Sequence, residues 1–226
     1  MSSEPAPRPT LRRNVVSGTL IAMMFGLSAW AWPRVPDRIP VHFDFAGNVD
    51  RYGGRVEGLL VVPLLCLALW GLFLLLPKID PARRDYSAFA GAWTLVQVSL
   101  FGFFTFLQVT MVGSALGIHL DVSRAITLGT AVLFIVLGSA LGRLKRNWFA
   151  GVRTPWTLSS ERSWVATHRL AGKLFVAVGL LTLPASLVSN AAGLGVLLGG
   201  LGAASLVAVV YSYKVWRDDP DRTPRE

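Results

Sequence analysis

The chain has 226 residues, of which 53% are apolar and only 15% charged, and its mean hydropathy is +0.51. A soluble domain carries about 25% charge, so an ordinary water-soluble fold is excluded. The formal net charge of +9 sits in short connections between apolar runs, as the positive-inside bias expects, and implies no direct nucleic-acid partner. Cys66 is the single cysteine and lies inside an apolar run, which excludes a disulfide framework or a thiolate metal site.

Residues 1–14 form a polar, Pro-rich arm with Arg8, Arg12 and Arg13. The run at 15–32 is longer than the core of a secretory signal and ends in Trp-Ala-Trp-Pro, so it predicts a retained first span that also serves as the targeting signal. A helix needs about 20 apolar residues to cross the hydrocarbon core. That ruler predicts further spans at 58–77, 89–112, 124–142, 170–188 and 192–213, the last two joined by a tight turn at Ser189-Asn190. The expected fold is all-α, a polytopic membrane bundle of six transmembrane helices; a five-span bundle results if one segment is re-entrant. Of the Lys and Arg in the connections, sixteen fall on one side (the arm, 78–88, 143–169 and the tail) and five on the other (33–56 and 113–124). This predicts both termini in the cytoplasm and loop 33–56 outside. The expected organisation is a cytoplasmic arm at 1–14, a helix–outer loop–helix unit at 15–77, a four-helix region at 78–213 and a cytoplasmic tail at 214–226.

Within the spans, Pro63 and Pro184 predict bends, and Trp30, Trp32, Trp148 and Trp216 stand near span ends, where aromatic rings anchor. Gly138-x-x-x-Gly142 and Gly195-x-x-x-Gly199 offer small faces for close helix contact, inside the bundle or between copies. Gln97 and Gln108 read as hydrogen-bonding glue or as the polar lining of a cavity. No Asp, Glu, Lys or Arg lies mid-span, which argues against a coupled transporter, although small-solute transport stands as an alternative function.

Two connections are richer than their length requires. In the outer one, Ile39, Val41, Phe43 and Phe45 alternate with Pro40, His42 and Asp44, the pattern of an extended segment with one apolar face. Gly47-Asn48 marks a turn, and Val49-Asp50-Arg51-Tyr52 returns as a hairpin partner. This unit reads either as a cap on the helix ends or as an edge for an arriving extended peptide. Asp44, Asn48 and Asp50 do not have the spacing of a calcium loop, and no metal is implied.

The inner connection packs Asn, Arg, Trp, Ser, Thr, Glu and His between two long apolar runs. In it Pro155 holds Thr154 in extended geometry, and Ser159 or Ser160 is placed to cap a helix carrying Glu161 in its first turn. Glu161, Trp164, His168 and Gly172 then share one helix face, with Arg169 beside it. Arg153 is expected to bind backbone carbonyls or a carboxylate such as Glu161. The segment reads either as an interfacial anchor or as a surface for a cytoplasmic partner.

Asn147-x3-Gly151-x-Arg153-Thr154-Pro155-Trp156-Thr157-Leu158-Ser159, followed by Trp164, Thr167-His168-Arg169 and Gly172, resembles the signature of the SdpI family of bacterial membrane proteins. Pro40-x-His42-Phe43-x3-Gly47-x2-Asp50, followed by Tyr52 and Gly53, resembles the DUF1648 segment that often precedes it. Ser160 departs from the common Asn, and Arg55 from the common Lys. The resemblance implies a non-enzymatic immunity protein that protects its cell from a secreted toxin peptide. It also implies a receptor role, in which a small autorepressor is held at the membrane when toxin is present. The partners so implied are the bilayer, a toxin peptide outside and a repressor inside; no cofactor is implied. An enzyme is the remaining alternative: Ser or Thr with His168 and Glu161 supplies a nucleophile and base on paper. The predicted topology separates His42 and His119 from His168, which forbids a multi-His metal site.

Overall fold

The computed structural model describes residues 8–44, 46–80 and 86–222, with side chains from residue 11. Phe45 of the outer strand, the arm at 1–7, and Arg83, Arg84 and Arg225 of the charge count lie outside them. Six helices are long and apolar enough to cross a membrane: α1 (Arg8–Ala31), α2 (Arg55–Ile79), α3 (Ala90–Ala115), α4 (Val122–Leu141), α6 (Glu161–Val188) and α7 (Asn190–Arg217). The chain is a multi-pass membrane protein. A short helix, α5 (Pro155–Ser159), and a two-stranded antiparallel hairpin, β1 (Arg38–Phe43) and β2 (Val49–Gly54), complete the described elements, with a 3-10 turn at Tyr86–Phe89 leading into α3.

Six crossings bring the start of α1 and the end of α7 to one face, here the terminal face, with α5; the hairpin lies on the opposite face. Helix α6 packs along α4 and α7, α1 packs along α3, and α3 joins the halves through α4. Helix α1 begins before the expected span, at Arg8, whereas α6 begins at Glu161, where the expected cap at Ser159 or Ser160 places its start, and runs on into the span. Hydropathy marks where hydrocarbon ends, whereas a helix continues while its backbone bonds and a cap favour it. Only Ser189 separates α6 from α7; its hydroxyl accepts from Ala192 N–H at 3.0 Å and so caps the returning helix at the expected turn.

Two amides stitch the first half together. Gln97 Nε2 donates to Ser17 Oγ and Gln108 Nε2 to Ser28 Oγ, both at 2.9 Å, and Gln108 Nε2 also reaches the Leu59 carbonyl at 2.9 Å. Both Gln side chains are fully buried, so of the two readings they are glue between helices. The glycine faces divide. A Cβ at Gly138 would stand 2.7 Å from the Gly172 carbonyl, and one at Gly172 would stand 2.6 Å from the Gly138 carbonyl. These two positions let α4 and α6 touch backbone to backbone. A Cβ at Gly195 or at Gly199 would meet nothing within 4 Å, so the expectation that they pack internally fails. On α7 it is Gly193, against Ser186, and Gly200, against Val178, that occupy the close contacts.

Candidate functional site

On the hairpin face, Asp44 closes the β-turn: its carboxylate accepts from Asn48 N–H at 2.8 Å and from Asn48 Nδ2 at 3.1 Å. These hydrogen bonds from Asn48 hold the Asp44 carboxyl below its ordinary pKa. Gly47 supplies the turn's left-handed residue, at φ +91°, and sits over Ser123 and Asp121 at the start of α4. Across the strands His42 Nδ1 meets Asp50 Oδ1 at 2.6 Å, and Arg51 Nη1 donates to Glu57 Oε1 at 2.5 Å. The register slips at Pro40/His42 and again at His42/Phe43, and it sets His42 opposite Arg51.

Beneath the hairpin, Ile39 is 1% exposed and fills the space left by Gly58, where a Cβ would collide with it. Leu59, Val35, Val112 and Ala115 complete this apolar seat. The hairpin therefore caps the helix ends on one side and leaves His42, Asp50, Arg51 and Tyr52 exposed on the other, with Pro40 and Phe43 half-buried. Asp44 and Asp50 are engaged by different partners and form no oxygen cage. A second polar cluster lies beside the hairpin: Asn190 Nδ2 donates to both Asp121 oxygens, at 3.0 and 2.8 Å, and Arg124 Nε donates to Asn190 Oδ1 at 2.8 Å. It ties the α3–α4 loop to the start of α7. Asp121 and Asn190 lie 69 positions apart, and no local pattern in the sequence marks them as a pair.

On the terminal face, residues 142–172 fold into a clasp. Asn147 is wholly buried; its Oδ1 accepts from Phe149 N–H at 2.9 Å and Ala150 N–H at 2.8 Å, and its Nδ2 donates to Lys145 O at 2.9 Å. Gly151 follows at φ +110°, where a Cβ would also collide with His168 Nε2; both the backbone and the space demand glycine. His168 Nδ1 lies 2.8 Å from the Trp164 carbonyl, which only accepts, so Nδ1 carries the proton. Nε2 then accepts from Val152 N–H at 3.0 Å. The ring is neutral, 1% exposed and saturated at both nitrogens, with no lone pair left for a substrate or metal. Trp164 is fully buried and donates through Nε1 to Leu144 O at 2.8 Å.

Thr154 caps α5. It accepts from Thr157 N–H at 3.1 Å while its own N–H donates to Thr157 Oγ1 at 2.9 Å, a reciprocal capping box with Pro155 in the first turn. Ser159 Oγ bonds back to Pro155 O at 2.7 Å, and Ser160, the second of the two expected candidates, caps α6 by accepting from Ser163 N–H at 2.8 Å. Arg153 Nη1 donates to Trp148 O at 2.6 Å, the carbonyl alternative of its expected roles. The Glu161 carboxylate pairs instead with Arg146 at 3.5 Å. Thr167 and Gly172 are buried and Arg169 is exposed.

Three contacts that no sequence pattern announces close the clasp onto α7 and the tail. Thr154 Oγ1 lies 3.0 Å from Ser212 Oγ, Ser163 Oγ donates to Ser212 O at 2.8 Å, and Ser160 Oγ donates to Asp219 Oδ2 at 2.5 Å. The bond from Ser160 lowers the Asp219 pKa. Asp219 stands in a charged tail that reads as solvated, and no motif marks it. What the arrangement does chemically is hold shape: the buried side chains of Asn147, Thr154, Thr157, Ser160, Ser163, Trp164 and His168 are all hydrogen-bonded, while Thr167 Oγ1 is buried with no partner among the described residues.

Residues 143–212 match the model of the SdpI/YfhL protein family, and residues 19–67 match that of a domain of unknown function, DUF1648. The chain is 23% identical over 172 residues to "Immunity protein SdpI" of Bacillus subtilis (strain 168), a match covering 76% of this chain and 80% of that protein. No solved structure matches the chain. The two family matches fall on the two structured connections with the helices that carry them: this is a multi-pass inner-membrane protein in which residues 143–212 are similar to the SdpI/YfhL family and residues 19–67 to DUF1648.

Proposed function

We propose that this protein is a non-enzymatic immunity protein, which protects its own cell from a secreted antibacterial peptide. The observation that carries the reading is its similarity, over 76% of its length, to Immunity protein SdpI of Bacillus subtilis. In this reading both termini lie in the cytoplasm, as the charge asymmetry favours, and the hairpin faces the source of the peptide. His42, Asp50, Arg51 and Tyr52 are then its contact surface, presented on a base that is packed onto the helix ends through Ile39. The clasp is a structural lock between α4, α6, α7 and the tail. A cytoplasmic repressor, where one exists, would meet the exposed rim of the clasp at Trp148, Arg153, Pro155 and Glu161 rather than its buried centre.

The test is protection. A sensitive host expressing the chain is challenged with each candidate antibacterial peptide secreted by the strain of origin, and survival is compared with the host alone. Survival against one of them supports the reading. Sensitivity equal to the empty host against all of them, with the protein verified in the membrane, overturns it.

A further inference from the structure

We propose that the groove between the terminal-face ends of α1 and α3 binds an anionic phospholipid, its phosphate held by Arg12, Arg13 and Arg143 and an acyl chain lying below. These three arginines line one groove of about 510 Å³ together with Thr94, Gly91, Val16, Leu95 and Val98. Arg13 is 7% exposed. Among the described residues its one hydrogen bond runs from Nε to Asn14 Oδ1 at 3.3 Å, and no carboxylate faces it. Thr94 Oγ1 is also buried and has no partner among the described residues. A buried guanidinium without a counter-ion is unfavourable, and a phosphate supplies both the charge and the acceptor oxygens that Arg and Thr lack here.

The remaining lining identifies the rest of the ligand. Val16 lies one turn deeper than Arg12, and Leu95 and Val98 lie one and two turns deeper than Gly91. The groove is therefore cationic at its mouth and apolar toward the hydrocarbon, the pattern of an amphiphile. A Cβ at Gly91 would meet nothing within 4 Å, so the mouth of the groove is open beside bare backbone. An extended peptide would carry unpaired backbone groups into the hydrocarbon along the same path, a cost that an acyl chain does not incur.

The full-length protein, purified in detergent, is titrated with fluorescent phosphatidylglycerol and with its phosphatidylcholine counterpart. The expected result is saturable binding with a preference for phosphatidylglycerol of roughly tenfold or more, given that each basic group near a headgroup strengthens binding about fivefold. Arg12→Gln and Arg143→Gln, both at exposed positions, each lower that preference about fivefold and leave the melting temperature unchanged. Arg13→Gln abolishes it. Lys173→Gln, in a separate groove beside Arg169, leaves it intact. Equal binding of the two lipids overturns the proposal, as does an unchanged preference in the Arg12→Gln/Arg143→Gln double variant. An equal loss in Lys173→Gln assigns the effect to general surface charge, and full competition by inorganic phosphate assigns it to a free-anion site; either result also overturns it.

Discussion

The imidazole of His168 lies flat on the indole of Trp164, ring centroids 4.0 Å apart and planes inclined by 21°. The same two residues are joined by the hydrogen bond from His168 Nδ1 to the Trp164 carbonyl. One turn of α6 thus carries two stacked rings that each reach across to the 142–152 segment, Trp164 to Leu144 O and His168 to Val152 N–H. Replacing His168 by Ala leaves a buried backbone N–H unpaired and opens a void against Trp164. The expected loss is about 2–4 kcal/mol of stability, read as a lower melting temperature in detergent. Gly151→Ala is damaging for a different reason, because it forces a side chain into a left-handed residue and against the same ring. The double variant Gly151→Ala/His168→Ala is expected to lose less than the two single losses combined, since removing the imidazole relieves the collision.

The glycine pairs give a contrasting pair of outcomes. Gly138→Ala or Gly172→Ala pushes α4 and α6 apart where their backbones touch, and an overpacked contact of this kind costs about 1–3 kcal/mol. Gly195→Ala and Gly199→Ala meet open space, and replacing a helical Gly stabilises by about 0.5–1 kcal/mol. Thermal unfolding of the four variants checks this. Destabilisation by the second pair would point to a neighbouring copy covering that face of α7.

The tail is expected to be locked by acid-sensitive contacts. The Asp219 pKa is lowered in the folded protein by the bond from Ser160. A depressed carboxyl contributes stability above its unfolded pKa and loses it as pH falls through the folded one. The tail is therefore held at neutral pH and loses this contribution only as pH falls beneath the ordinary carboxylate range, through the depressed pKa of Asp219. Hydrogen exchange of residues 218–222 is expected to accelerate in that acid range for the native chain. In Asp219→Asn and Ser160→Ala it should be fast already at neutral pH, with no further rise on acidification that depends on this group.

How much of this was legible in the sequence differs by residue. The six crossings could be read because the bilayer imposes a length and excludes charge, and Ser189-Asn190 was the one polar break in the last long run. Thr154-Pro155 and Ser160 announced their helix starts because capping is a local event. Which glycines pack could not be read: in an all-apolar helix the lipid-facing and bundle-facing sides carry the same residue types, so Gly195 and Gly199 look like Gly138. Contacts between distant residues were equally hidden. Nothing near Asp219 marks Ser160 as its partner 59 positions earlier, and the Asp121–Asn190 pair spans a comparable gap. The start of α1 at Arg8 was hidden because hydropathy falls before the helix ends.

The hairpin separates anchoring from contact, so its two sides predict different phenotypes. Ile39 is buried in a seat formed by Gly58, Leu59 and Val112, and Ile39→Ala is expected to cost about 2–4 kcal/mol and to loosen the whole unit. Asp50 and His42 pair at the exposed edge, with their side chains 45% and 62% exposed. Exposed ion pairs contribute little, about 0–1 kcal/mol, so Asp50→Asn and Tyr52→Ala should leave the melting temperature nearly unchanged. If the hairpin meets the peptide, these two variants nonetheless lower protection in the challenge assay, at membrane levels equal to those of the unmodified protein. Full protection by Asp50→Asn, Tyr52→Ala and their combination would move the contact away from the hairpin edge and into the bundle.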